Sequence, residues 1–376
     1  MNYRTQNKTA IVIGAGIAGL AITRALAEKG YSVSVFERNS KAVGASIRNF
    51  GMIWPIGQPN GNLYERAKRS KAIWKNICTE AGLWYDEVGS LHLAYNDIEF
   101  QVLNEIFDQN KNVRPVDIIN KPGIIKKSPV INTLNLKGAL WSADEMIVES
   151  RVAIEKIPQY FIEKYNVQFY FNTTITEINY PVVKSGNKTW EADQIFICNG
   201  ADFETLYPEI FSANYFTKCK LQMVRYSSNL AKTRIGPALC GGLSLIHYKS
   251  FQIAPTLSEL RDYYQNTIPE YLRWGIHVMV SQNAEGELTI GDSHEYGNTF
   301  DPFDKQFIND LIINYLRKFV FIDENVQIQS WHGIYPKLTN GQTEFIHSPE
   351  NGVTIVNGIG GAGMTLSFGL AEEVIQ

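Results

Sequence analysis

The chain reads as an α/β protein: a Rossmann-like dinucleotide-binding domain joined to a discontinuous second lobe, of α+β character, built on an antiparallel sheet. Three observations predict this. A strand, a glycine turn, a helix, a second strand and an acidic residue succeed one another between Thr9 and Glu37. Segments of that dinucleotide-binding character fall in three separated blocks, and β-rich stretches lie between them. The implied boundaries are 1–82, 145–215 and 328–376 for the nucleotide domain, and 83–144 and 216–327 for the substrate domain.

In order along the chain, Ala10–Ile13 is a short apolar strand, Ala18–Lys29 a helix closed by Gly30, and Tyr31–Phe36 an alternating strand. Helical spacing covers Asn62–Ala81, strand character Trp84–Ala94, and a polar helix Asp97–Gln109. Val167–Tyr170, Thr174–Ile178 and Gln194–Cys198 read as strands, as do Lys218–Arg225 and Trp274–Val280. Asn283–Gly286 is a turn that makes a hairpin with Glu287–Gly291. A strand at Val353–Val356, a glycine-rich turn and a helix from Ser367 end the chain.

Composition narrows the function classes. With 376 residues and 44% hydrophobic content the chain can bury a large core. A net charge of −3, from 35 basic and 38 acidic residues, argues against a nucleic-acid partner. The four cysteines, Cys78, Cys198, Cys219 and Cys240, form no close pair and no metal-ligand spacing, which points to a cytoplasmic, reducing compartment and no metal centre. The apolar run near the start is broken by Gly14, Gly16 and Gly19, so neither a secretion signal nor a membrane span is expected.

Gly14-Ala15-Gly16-Ile17-Ala18-Gly19 is a GxGxxG turn. Gly14 permits the tight turn, Gly16 the approach of a diphosphate to the backbone, and Gly19 close helix–strand packing. The helix that starts here aims free N–H groups at the phosphates. Glu37 sits where an acid accepts from ribose hydroxyls, which disfavours a 2′-phosphate and leaves NAD and FAD. Two glycine-rich segments select FAD. Gly44-Ala45-Ser46-Ile47-Arg48-Asn49-Phe50-Gly51 is a loop of small and polar residues rather than another βα unit. Gly358-Ile359-Gly360-Gly361-Ala362-Gly363-Met364-Thr365 is a second glycine-rich turn before a helix, whose N–H groups suit the electron-rich edge of a flavin.

These residues resemble the D-amino acid oxidase, glycine oxidase and sarcosine oxidase superfamily of FAD enzymes. The markers are the fingerprint with Glu37-Arg38, the Gly44–Gly51 loop, Asn199-Gly200-Ala201, Trp331-x-Gly333 and Gly360–Thr365, in order over almost the whole chain. Ser46–Pro59, Arg273–Asn283, Gly291–Gly297 and Gly361–Gly369 are most similar to the branch linked to breakdown of 2-aminoethylphosphonate derivatives. The resemblance implies FAD contacts at Gly14, Ala15, Gly16, Ile17, Ala18, Gly19, Glu37, Arg38, Gly44, Ala45, Ser46, Arg48, Asn49, Phe50, Gly51, Met52, Ile175, Asn199, Gly200, Gly360, Gly361, Ala362, Gly363, Met364 and Thr365. Ile175 would present its backbone to the adenine. Two departures matter. Tyr335 stands where amino acid oxidases of the superfamily place a carboxylate-clamping arginine. No cysteine lies near Gly333 and Thr289 stands near the place of an oxygen-activating lysine, so FAD is expected to be non-covalent and the electron acceptor to be O₂ or another oxidant.

A phosphonate wants several donors converging on it. His247, His277, His294 and His332 are candidates, with Arg48, Arg273 and Lys337 as nearby cations and Met279 and Tyr335 as further wall residues. Each histidine also has a plain structural reading; Arg48 fits either cofactor or substrate, and Arg273 either cleft or surface. The expected reaction is oxidation of a C–N bond in a small amine, with the flavin as hydride acceptor and no dedicated protein base. The alternatives are a flavin dehydrogenase for a small 2-hydroxy acid or amino acid on the same fold, and a flavin-binding subunit without activity of its own.

Overall fold

The computed structural model describes residues 8–227, 234–322 and 327–376. Two sheets carry the chain. In the first, Thr9–Ile13 is central and pairs in parallel with Ser32–Phe36 on one side and Gln194–Ile197 on the other. Gln168–Tyr170 and Val353–Asn357 extend it in parallel, and Phe345–Glu350 closes one edge antiparallel. The central strand is apolar and buried from Ala10 to Ile13 because both its faces are covered. Ala10 and Val12 pack under the helices Ile17–Glu28, Ser150–Tyr165 and Gly363–Val374, whereas Ile11 and Ile13 pack on the other face with Val183 and Ile355. Val183 belongs to a three-stranded meander, Glu177–Asn179, Val182–Ser185 and Lys188–Glu191.

The second sheet has nine strands. Its neighbours run antiparallel except for Ala238–Cys240 beside Ser90–Ala94. Phe216–Tyr226 and Gln327–Leu338 form its longest ladder, with Cys219 opposite Tyr335. The strand Gln327–Leu338 therefore joins this sheet, although most of the block 328–376 belongs to the first. The largest apolar cluster backs this sheet, with Leu91, Leu140, Val224, Leu239, Val280 and Ile290 all buried.

Four local expectations need correction. Trp84–Ala94 is two strands, Tyr85–Asp86 and Ser90–Ala94, in different sheets; Gly89 at φ 66° turns the chain between them. Thr174–Ile178 is a strand only from Glu177; ahead of it the Thr176 N–H still donates to the Lys184 carbonyl at 2.9 Å, and Thr174 and Ile175 are irregular. The strand expected from Trp274 begins at Met279, since the helix Pro269–Arg273 runs up to Trp274 and Gly275 turns at φ 56°. The last helix starts at Gly363 rather than Ser367, directly after a 3₁₀ turn at Gly360–Ala362.

The topology fixes where a ligand can go. Gly14, Glu37, Cys198 and Gly358 each come just after the carboxyl end of a parallel strand, so four chain reversals gather on one edge of the first sheet. That edge is where open α/β sheets bind their ligands. No helix among the described residues is long and apolar enough to cross a membrane.

Candidate active site

A cavity of about 1100 Å³ runs from that edge to the inner face of the second sheet. It exceeds what a single small ligand needs. At the fingerprint end the wall is backbone. Gly14 has φ 103°, and a Cβ there would overlap the Cys198 carbonyl. A Cβ on Gly19 would overlap the Gly14 carbonyl, which is the close packing that this glycine permits. Gly16 caps the helix Ile17–Glu28 in extended geometry. The Ile17 N–H donates to Ser46 Oγ at 2.9 Å, so the Gly44–Gly51 loop meets the free end of this helix. Glu37 is buried: one carboxylate oxygen accepts from the Ala15 N–H at 3.0 Å, the other from the Asn39 backbone and side chain at 3.1 and 3.2 Å. Arg38 pairs with Asp202 at 2.8 Å.

Asn49 shapes the loop between the two ends. Its amide donates to the Ala45 and Ser46 carbonyls at 3.0 and 2.9 Å and its oxygen accepts from the Gly51 N–H at 2.8 Å. The C-terminal turn is fixed from behind. Trp74 Nε1 donates to the Met364 carbonyl at 2.8 Å, and the Trp54 N–H donates to Thr365 Oγ1 at 2.9 Å. Asn357 ties this turn to the Asn199–Gly200 turn, donating to Asn199 Oδ1 at 2.7 Å and to the Gly200 carbonyl at 2.9 Å. The residues fit FAD on a simple test. Gly44, Gly200 and Gly360 line the cavity, and no protein atom lies within 4 Å of where a Cβ would stand on any of them, so the wall at these three points is bare backbone that a diphosphate or ring can approach.

Most residues expected at the cofactor do line this cavity: Gly14, Gly16, Ile17, Ala18, Glu37, Arg38, Gly44, Ala45, Ser46, Arg48, Asn49, Phe50, Met52, Ile175, Asn199, Gly200 and Gly360 through Thr365. Ala15, Gly19 and Gly51 stand behind the wall. Ala15 is buried with its N–H spent on Glu37, Gly19 packs against Gly14, and Gly51, at φ 72°, lies against the Val148 carbonyl.

At the other end the wall is side chains. His247, His277, Met279, His294, Tyr335 and Lys337 all line it, together with Arg48. The His247 and His277 rings stack with centroids 3.7 Å apart, and His294 lies 4.8 Å from the first and 5.2 Å from the second. His277 Nε2 is 2.9 Å from Asp292 Oδ1, and His294 Nδ1 is 2.9 Å from the Gly275 carbonyl. His247 keeps surface open to the cavity, but desolvation by the protein packed around it, followed by the neighbouring histidines, holds its pKa well below the ordinary imidazole range. Burial also lowers His294, against the pull of Asp292. For Asp292 burial works upward but the two histidines outweigh it, so its carboxyl is held below the usual range. Lys337 Nζ donates to Tyr296 Oη at 3.0 Å, Tyr248 Oη sits 3.1 Å from Met279 Sδ, and Arg48 donates to the His332 carbonyl at 3.1 Å.

Two expected substrate residues are elsewhere. His332 is one position out of phase with Gly333, Tyr335 and Lys337 along its strand, so its ring points away from the cavity and meets Asp304 at 2.8 Å. Arg273 is a surface residue, its side chain 71% exposed beside Glu270. Sequence reasoning missed Asp292, Tyr248 and Tyr296. A sign for the first was present: Asp292 and His294 are two apart, which puts both on one face of extended chain.

A family model described as FAD dependent oxidoreductase, DAO, matches residues 9–376. Among curated proteins the chain is similar to a glycerol 3-phosphate dehydrogenase of Caloramator mitchellensis, 26% identical over 136 residues, which are 35% of this chain and 28% of that protein. It is also similar to the tRNA 5-methylaminomethyl-2-thiouridine biosynthesis bifunctional protein MnmC of Burkholderia ambifaria, 33% identical over 110 residues, 27% of this chain and 17% of that protein. The match thus spans only a minor part of either relative. Among solved structures, glycine oxidase from Geobacillus kaustophilus has a TM-score of 0.77 at 18% identity, over 98% of this chain and 94% of that one. L-proline dehydrogenase from P. horikoshii has a TM-score of 0.75 at 20% identity, over 98% and 92%. The FAD-bound L-alpha-glycerophosphate oxidase from Mycoplasma pneumoniae has a TM-score of 0.74 at 17% identity, over 99% and 95%. These structures share its fold, and the family match covers nearly every residue: the chain belongs to the DAO family of FAD dependent oxidoreductases.

Proposed function

We propose that the chain oxidises the C–N bond of a small amine that carries a tetrahedral anion, an aminophosphonate such as a hydroxylated or N-methylated 2-aminoethylphosphonate. The observation that carries this reading is the wall opposite the fingerprint. There Lys337, His247, His294 and Tyr296 come from separate segments to one space, and His277 stands beside them against the Asp292 carboxylate. A tetrahedral anion is met by donors from several directions, whereas a planar carboxylate is matched by one guanidinium fork. The strand position that resemblance assigns to that fork holds Tyr335, buried against Gly361 and Cys219.

The flavin supplies a hydride acceptor at N5, and the resulting imine hydrolyses to an aldehyde plus ammonia or a smaller amine. The protein's part is placement. The backbone turns would hold the cofactor and the side-chain wall the anion, which would bring the amine-bearing carbon against the hydride acceptor. On this reading the residues 1–82, 145–215 and 328–376, apart from the strand that crosses to the second sheet, hold the cofactor, and 83–144 and 216–327 hold the substrate. We take FAD to be held without a covalent bond. Cys219 is wholly buried, and burial pushes the Cys198 thiol, at the fingerprint end, up to about 12. The four buried, unpaired thiols suit the cytoplasm. Thr289 is engaged by Arg225 at 3.1 Å, so O₂ or another oxidant takes the electrons without a lysine there.

An anaerobic screen of flavin bleaching tests the reading with aminophosphonates, N-methyl amines, amino acids and hydroxy acids. Bleaching is expected with aminophosphonates. Bleaching only by carboxylated or neutral amines defeats the phosphonate assignment, and bleaching only by hydroxy acids replaces amine with alcohol oxidation. If no substrate bleaches the flavin and the chain co-elutes with a tight partner, an assembly role replaces catalysis.

A further inference from the structure

We infer that His247, His277 and His294 form a binding site for a divalent transition metal of the zinc class, with an open coordination position facing the cavity. The ligand nitrogens of the three histidines lie within 4.8 Å of one another. Tetrahedral coordination with bonds of about 2.0–2.1 Å asks for nitrogens about 3.3 Å apart with their lone pairs converging, so the nitrogens close by up to about 1.5 Å and the His247 ring turns out of its stack on His277. His247 is the ring free to do so. It stands exposed to the cavity at the end of the 3₁₀ turn Gly242–Ile246 and makes no side-chain hydrogen bond among the described residues.

The other two rings are already aimed. His277 is 4% exposed, its Nε2 lies against the Asp292 carboxylate at 2.9 Å, and its Nδ1 is buried with no hydrogen-bond partner. His294 uses Nδ1 on the Gly275 carbonyl at 2.9 Å, which leaves Nε2 for a ligand. Metal-binding histidines are oriented in this way, one ring nitrogen on a carboxylate or carbonyl and the other on the ion. A buried imidazole nitrogen without a partner is costly, and an ion at this place supplies the partner. The backbones of His277 and Asp292 also exchange hydrogen bonds at 3.2 and 2.8 Å, which fixes the histidine against its carboxylate. Three imidazoles and one open position are the donor set of zinc centres that bind an anion or water. The three residues come from well-separated segments, so their spacing in the sequence carries no metal motif.

This inference deepens the proposed function: with the ion in place, the anion meets the metal's open position beside Lys337 and Tyr296 instead of the three imidazoles, and metal content is read without any turnover. The test uses the FAD-loaded full chain, stripped with a chelator and titrated with cobalt(II), with absorbance followed to the red of the flavin bands. Metal content is measured by mass spectrometry on protein from zinc-supplemented cells. The expected result is stoichiometric metal and tetrahedral cobalt bands. His277→Gln and His294→Gln should abolish both, and Asp292→Asn should weaken binding about 10- to 100-fold, all at unchanged flavin content. His247→Ala, at the exposed position that follows a buried turn, should lose the bands even if the buried variants fail to fold. No cobalt bound by the wild-type chain at micromolar concentration, or the same binding in wild type and His247→Ala, overturns the site. Binding of inorganic phosphate to the stripped protein that added zinc leaves unchanged would show the imidazoles serving an anion directly, and would also overturn it.

Discussion

The two ends of the cavity are built from different material. The fingerprint end is backbone: Gly14, Gly16, Gly200 and Gly360, with Glu37 and Asn357 spending their side chains on neighbouring main-chain groups. The far end is side chains: three histidines, Asp292, Tyr296, Tyr335 and Lys337. Backbone cannot vary with sequence except where glycine is required, so on the proposed reading this end serves the cofactor. Side chains vary freely, so on the same reading the far end selects the substrate. Substitutions at the two ends should therefore fail in different ways.

The largest effect is expected at Gly14. Gly14→Val forces a side chain into the Cys198 carbonyl at φ 103°, costing on the order of 3 kcal/mol or more. The purified protein should lack flavin absorbance. Gly16→Ala is milder, since its Cβ would meet only Ser46 Oγ at 3.1 Å; folded protein with weakened flavin retention is expected, read from the ratio of flavin to protein absorbance after dialysis. Full flavin content in Gly14→Val would break the comparison at its first end.

Next comes a carboxyl that supports the wall from behind. Glu145 is fully buried and accepts from the Ile56 N–H and Ser90 Oγ, each at 3.0 Å, under the loop that brings Trp54 and Gln58 to the cavity. Burial, eased by these hydrogen bonds, raises its pKa from 4.5 to about 7. A raised pKa means that the folded state binds this proton more tightly than the unfolded state does. Its contribution therefore falls as pH rises from about 4.5 to about 7 and stays low above that, a change on the order of 3 kcal/mol. Glu145→Gln should remove this decline, so that its thermal midpoint falls less than that of wild type between pH 5 and pH 8. An equal fall in both proteins would contradict the assignment.

The last two act at the side-chain end alone. Asp292→Asn loosens the hold on His277 and should slow flavin reduction by substrate about 10- to 100-fold with the cofactor retained. Lys337→Met removes one charged donor and should raise the apparent dissociation constant for a phosphonate about tenfold, while an uncharged amine is unaffected. Stopped-flow reduction at several substrate concentrations reads both. A loss of flavin from either variant would blur the division between the ends.

The same division explains what was legible in the sequence. The fingerprint end is local: Gly14 to Gly19 and Glu37 lie on one βαβ unit, and glycine has few reasons to recur at such spacing other than backbone approach. The far end is assembled from a 3₁₀ turn, an extended stretch before Met279 and the turn after Gly291, which only the nine-stranded sheet brings together. His332 shows the limit. Residue type alone made it a candidate, and strand phase, which needs the partner strand, sends it to Asp304. Ile175 shows the converse: an expected strand position proves to be irregular chain, and that irregularity leaves Thr173 to Ile175 in the cavity wall.

The central claim is that the side-chain end selects a tetrahedral anion. Anaerobic titration with 2-aminoethylphosphonate and with its carboxylate isostere β-alanine tests it most directly, because the two share the amine and the carbon spacing. The phosphonate should reduce the flavin with an apparent dissociation constant at least about tenfold lower than that of β-alanine, a difference of about 1.4 kcal/mol. Equal dissociation constants, or reduction by β-alanine alone, would contradict it.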